Sequence, residues 1–179
     1  LLIQKRSSEK ITFPGVWANS CCSHPLDIES ENCGEKGVEN AAKRKLEQEL
    51  GITTSVTGSW DFHHIGRMEY SCRWDDEWIE REIDHIMVVF ADAEVTPNSN
   101  EISEVKWVNK EEILRMMDGR GDWEGQVIAP WFRLIWKHYA LPKDSVPELM
   151  VNQKSESIIY CGEVGMSGKS VIPGQALLD

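Results

Sequence analysis

The chain lacks long apolar runs, an excess of basic charge and a regular set of cysteines. Its longest strictly apolar stretch, Ile86 to Ala91, falls far short of the roughly 20 residues of a membrane-spanning helix. No transmembrane helix is expected. Nineteen Lys and Arg stand against thirty Asp and Glu, a formal charge of −11. Non-specific nucleic-acid binding and adsorption to an anionic membrane both need a basic footprint, so neither partner is expected. The acidity still leaves room for a phosphorylated small molecule, because a few local cations or a metal override the net charge. The five cysteines, Cys21, Cys22, Cys33, Cys72 and Cys161, are odd in number and irregular in spacing. That is no disulfide framework, and reduced thiols in an intracellular compartment, the cytoplasm, are expected. There is no initiator Met or signal peptide. The opening Leu1-Leu2-Ile3-Gln4-Lys5-Arg6 reads as the inside of a strand, so the chain is expected to be a fragment of a longer protein.

What is there suffices for a core: 179 residues, 41% hydrophobic and 27% charged, the size of one domain or one domain with an appendage. All eight tryptophans fall between Trp17 and Trp136, whereas the stretch after Leu141 holds a single aromatic, Tyr160. Residues 1–140 are therefore read as the compact domain and 141–179 as a loosely attached tail of unknown role. Trp60 to Trp74 alternates, with Trp60, Phe62, His64, Met68, Tyr70, Cys72 and Trp74 on one face, which predicts a strand bent at Gly66. Ile79 to Ala91 predicts a strand that enters an interior covered on both faces. Val38, Ala42, Leu46 and Leu50 recur every four residues and predict a helix stopped by Gly51. Asn109 with Glu112 is a capping box, and Pro130 opens a helix striped by Trp131, Leu134, Ile135 and His138. Strands interleaved with helices predict an α/β or α+β sandwich.

Four features could carry chemistry. In Asn19-Ser20-Cys21-Cys22-Ser23-His24-Pro25, Cys22 and His24 are two residues apart, which puts a thiol and an imidazole within reach of one pocket. The alternative is two small buried cysteines beside a solvated histidine. In Glu80-Arg81-Glu82, residues i and i+2 share a strand face, so two carboxylates point the same way, with Asp84 continuing the row. Such a pair needs a cation or a shared proton; a solvated strand start is the bland reading. Glu49 lies about 60° from Leu46 on the helical wheel, within the apolar stripe. There it must pair or ligate unless it reaches solvent at the stripe's edge. Arg44, Lys45, Glu47 and Gln48 read as an ordinary solvated face. Arg6 and Lys10 flank the Ser7-Ser8 turn, where two cations could clamp a diphosphate or simply face water. Tyr70 and Trp131 are large amphipathic aromatics of the kind that fill a core, although a tryptophan face beside a pocket can stabilise a cation.

Together these segments resemble the type I isopentenyl diphosphate isomerase family. The match runs from Leu1 through Ser7 and Lys10-Ile11-Thr12-Phe13-Pro14-Gly15. It continues through Asn19 to Pro25, Ala41 to Leu46, Glu49-Leu50-Gly51-Ile52, Glu80 to Asp84, and Pro130-Trp131-Phe132. The resemblance covers roughly residues 1–140 and implies a Nudix-like mixed-sheet α/β/α sandwich, here without its N-terminal strands. It implies conversion of isopentenyl to dimethylallyl diphosphate, in isoprenoid biosynthesis. Cys22 and Glu82 would be the acid/base pair, Tyr70 would assist proton transfer, and Trp131 would face the carbocation. Arg6 and Lys10 would bind the diphosphate. His24, Glu80 and Glu82 would hold a divalent metal (Mg²⁺, with Mn²⁺ or Zn²⁺ as alternatives), and Glu49 a magnesium ion bridging to the diphosphate. Two further histidine ligands of the family's metal would lie upstream of Leu1, and a plastid or peroxisomal location is then open beside the cytoplasm.

Two other readings compete. A Nudix hydrolase wants Arg-Glu-Hyd-x-Glu-Glu-x-Gly, but Arg44-Lys45-Leu46-Glu47-Gln48-Glu49-Leu50-Gly51 lacks two of the three glutamates, which depletes a hydrolytic magnesium cluster. A truncated form that only binds diphosphates is the non-enzymatic alternative.

Overall fold

Ile3 and Gln4 are both buried although they point to opposite faces, which marks their strand as the middle of a sheet rather than its edge. In the computed structural model, which describes residues 1–140 and 157–166, β1 (Leu2–Arg6) lies between β2 (Trp17–Asn19) and β5 (Ile102–Trp107). It pairs antiparallel with both, Ile3 opposite Asn19 on one side and Lys106 on the other. Contacts divide the chain into two units. The first comprises Leu1–His63 with Met87–Val127, the second His64–Ile86 with the described residues from Ile128 onward.

In the first unit, α1 (Glu35–Leu50) ends where Gly51 takes a left-handed φ of 69° and donates its N–H to Glu47 O. This is the stop expected from a glycine that suffers no Cβ penalty. The buried face is Gly37, Ala41, Leu46, Glu49 and Leu50. Val38 and Ala42, expected in the stripe, are only half-buried, because 3.6 residues per turn carries the buried face away from a strict four-residue repeat. Leu2, Leu46, Leu50, Ile52 and Ile102 form the core cluster, with Cys21, Trp60, Phe62 and Val95 packed against it. A single-turn α2 (Thr54–Thr57) follows α1. The capping box is formed at α3 (Lys110–Met117): Asn109 Oδ1 accepts from Glu112 N–H, and Glu112 Oε2 accepts from Asn109 N–H.

The second unit holds the sheet β4-β3-β6. Here β3 (His63–Arg73) is the middle strand, flanked by β4 (Ile79–Val88) and by β6 (Ile158–Val164). Met68, Tyr70 and Cys72 are buried on one face of β3 as their alternation predicts. The strand starts three residues later than expected, after Trp60 and Phe62. β4 does not enter an interior covered on both faces: Ile79 and Ile83 are about half exposed, and only Ile86 is buried. It is an edge strand. β6 pairs parallel with β3, Met68 opposite Ile159 and Tyr70 opposite Gly162, with an irregularity at Glu69/Tyr70. Part of the segment read as a tail is thus a strand, while the remainder of 141–179 lies outside the described residues. Pro130 sits at the first turn of α4 (Pro130–Ile135), which a π-helical turn continues. Strands and helices together make an α+β fold. Among the described residues no helix is long and apolar enough to cross a membrane.

Candidate functional site

The residues singled out above fall into two groups, one in each unit. In the first unit, Glu49 is buried as its place on the wheel predicts, at 5% exposure. Its carboxylate meets Lys45 Nζ at 2.9 Å and accepts from Gln4 Nε2 at 3.0 Å. Lys45 is largely covered too, so the supposed solvated face of α1 is not solvated there. Burial, then the nearby Glu49 carboxylate and Cys22, push the Cys21 thiol far up, which keeps it a neutral core group. Cys22 next to it is half-buried, and His24 is exposed.

The loop carrying Cys22 and His24 is tied down. Ser23 Oγ donates to Ala41 O at 3.3 Å and Arg44 Nη2 donates to His24 O at 3.0 Å. Arg44 also makes a two-pronged contact with Glu31, Nε to Oε1 at 2.6 Å and Nη2 to Oε2 at 2.8 Å. Glu31 Oε2 in turn accepts the Leu26 N–H at 2.8 Å. The guanidinium and this amide hold the Glu31 carboxyl down at about 2. Sequence reasoning missed this pair. Arg44 was read as solvated, and no local spacing announces Glu31, which returns from a loop.

The two cations flanking the Ser7-Ser8 turn each have a protein partner. Arg6 donates from Nε to Phe13 O at 3.0 Å and from Nη2 to Thr12 O at 2.9 Å. It thereby pins a turn in which buried Phe13 adopts a left-handed φ of 49°. Lys10 pairs with Glu101 and keeps the Glu101 carboxyl below its ordinary value.

In the second unit, Tyr70 Oη donates to Glu82 Oε2 at 3.3 Å, and the Tyr70 and Trp131 rings lie 6.3 Å apart. The phenol, the carboxylate and the indole are therefore gathered in this unit. Both rings are almost wholly buried, and the cavity of about 240 Å³ nearby is lined by Glu69, Ser71 and Arg81, positions that alternate with Tyr70 and Glu82 along their strands. Asp84 belongs to the same row. Burial, then the Glu82 and Glu80 carboxylates, push it up to about 7. The i+2 spacing from Glu82 was the signal for it. Asp84 is therefore the carboxyl of this face that its burial and its neighbours raise. Among the described residues, no group of three or more His, Cys, Asp and Glu side chains is arranged to hold a metal ion.

Both the helix that ends at Gly51 and the sequence it carries are those of a known class. The chain matches the NUDIX domain family over residues 1–132 and belongs to it. More particularly, it is 45% identical over 148 residues to isopentenyl-diphosphate Delta-isomerase II of Clarkia breweri, which covers 80% of this chain and 51% of that protein. It is 42% identical over 145 residues to the chloroplastic isopentenyl-diphosphate Delta-isomerase II of Arabidopsis thaliana, 79% of this chain and 51% of that one. With the isopentenyl-diphosphate delta-isomerase of Phaffia rhodozyma it shares 44% identity over 141 residues, 78% and 55% of the two chains. The chain spans about half the length of these curated relatives.

Proposed function

We propose that the chain carries the isomerisation of isopentenyl diphosphate to dimethylallyl diphosphate. The observation that bears most weight is the hydrogen bond from Tyr70 to Glu82 beside the Trp131 ring, in a chain similar to isomerases of that name. The reaction adds a proton at C4 and removes one from C2, with a tertiary carbocation between. Cys22 and Glu82 are the acid/base pair, one delivering and the other accepting. The Tyr70 hydroxyl orients the Glu82 carboxylate and shares its proton traffic. The indole face of Trp131 stabilises the cation, and the buried rings keep water from trapping it.

Arg6 and Lys10 bind the diphosphate. Glu80 and Glu82 are the carboxylates, and His24 the imidazole, that would ligate a divalent metal, and Glu49 would serve a magnesium ion; such ions would supply positive charge to neutralise an anionic substrate. Mg²⁺ or Mn²⁺ matches the carboxylates and Zn²⁺ the imidazole. The odd, irregularly spaced set of five cysteines goes with a reducing compartment, the cytoplasm or a plastid.

The test is to supply isopentenyl diphosphate to the purified chain and follow dimethylallyl diphosphate by NMR. Turnover that a chelator stops and Mg²⁺, Mn²⁺ or Zn²⁺ restores supports the reading. Release of inorganic phosphate or a monophosphate in place of the allylic isomer would replace it with a hydrolase.

A further inference from the structure

Three tethers join α1 to the Cys22–Leu26 loop: Ser23 to Ala41, His24 to Arg44, and Leu26 to Arg44 by way of Glu31. Glu31 is 6% exposed and its carboxylate has two jobs: both oxygens face the Arg44 fork, and Oε2 also takes the Leu26 N–H. Arg44 has a second job as well, donating to His24 O. The loop can come this close because α1 has glycine at position 37, where a Cβ would stand 2.2 Å from the Glu31 carbonyl oxygen. His24 to Leu26 is therefore gripped from both sides by one ion pair, two residues from the Cys22 thiol. A planar guanidinium with several fixed donors can do this; an ammonium cannot.

We propose that Arg44 and Glu31 are positioning residues for the reaction, acting through the loop to hold the Cys22 thiol and the His24 imidazole at their working places. This rests on the isomerase reading above, and goes beyond it in assigning a role to two side chains that touch no reacting atom. A merely structural ion pair would respond to charge alone. A positioning clamp responds to which side carries the acceptor, because Leu26 N–H needs an acceptor oxygen at position 31 and His24 O needs a donor at position 44.

The experiment compares wild type, R44K, E31Q and the reversed pair E31R/R44E in the full 179-residue chain. R44K is expected to lower kcat about 30-fold while KM for isopentenyl diphosphate stays within about twofold, the signature of misplaced rather than lost groups. Amide exchange at Leu26 should quicken about tenfold or more, and the rate of Cys22 alkylation, followed by peptide mapping, should change with it. The reversed pair is expected to recover the thermal midpoint but neither kcat nor Leu26 protection. Should R44K not fold, E31Q is read by the same measures. A kcat within twofold of wild type in R44K, or recovery of kcat in the reversed pair, overturns the proposal. If wild type shows no isomerisation, it is the isomerase reading that fails. The clamp is then decided by Leu26 exchange and Cys22 alkylation, and unchanged values in R44K overturn it.

Discussion

The two units treat the same residue type in opposite ways. In the first, the carboxylates of Glu31 and Glu101 face Arg44 and Lys10, and these cations hold them below the ordinary range. In the second, Asp84 shares a strand face with Glu82 and Glu80, and burial with those neighbours raises it to about 7. Cations lower the first set, whereas burial and neighbouring carboxylates raise Asp84 in the second. A carboxyl raised by burial and like charge is a candidate for function. The difference separates carboxylates held by a cation from one raised by its neighbours.

The sharpest way to break the comparison is to remove one reacting group from each unit. Cys22→Ala and Glu82→Gln are each expected to cut turnover about 10³-fold or more while the unfolding midpoint stays near wild type. Near-normal turnover in either would remove that residue from the acid/base pair. Glu49→Gln leaves Lys45 without its carboxylate in a largely covered place and is expected to destabilise by about 2 kcal/mol, read from denaturant midpoints. A comparable loss, about 1–3 kcal/mol, is expected in the second unit for Gly66→Ala. The new Cβ would stand 2.6 Å from Tyr139 Cε1 and displace the ring whose hydroxyl donates to Arg67 O at 2.9 Å. The smallest effect concerns pH. Glu31 titrates low in the folded chain, so its contribution is full above the ordinary carboxylate value of about 4.3 and fades as pH falls through about 2. E31Q should flatten that part of an acid-unfolding curve monitored by tryptophan fluorescence, and an unchanged curve would show that the pair does not stabilise the fold.

Much of this was legible from local rules. Gly51 ends α1, Asn109 and Glu112 cap α3, Pro130 opens α4, and the Met68-Tyr70-Cys72 alternation buries one face of β3, because each is decided by a few neighbouring residues. Glu49 was legible too, since a helical wheel reports burial without any knowledge of partners. What stayed hidden depends on chain returns. Glu31 reaches Arg44 from a loop with no periodicity, Arg6 spends its donors on carbonyls of the turn after it, and Lys10 finds Glu101 far along the chain. β6 was hidden for a related reason. Ile158–Val164 is a short, half-polar run in a proline- and glycine-containing stretch, and only its pairing with β3 makes it a strand.

That pairing also constrains the order of assembly. β3 and β4 are joined by a tight connection, closed where Trp74 donates its N–H to Trp78 O, and can associate as soon as they leave the ribosome. The other edge of β3 must wait until residues near the C-terminus arrive, and a parallel partner from so far away closes a long loop late in folding. In the interval β3 offers an open row of amides and carbonyls with Arg67 to Cys72 along it, a template for pairing with another nascent chain. Shielding that edge until Ile158–Val164 has emerged is a demand this topology places on the cell.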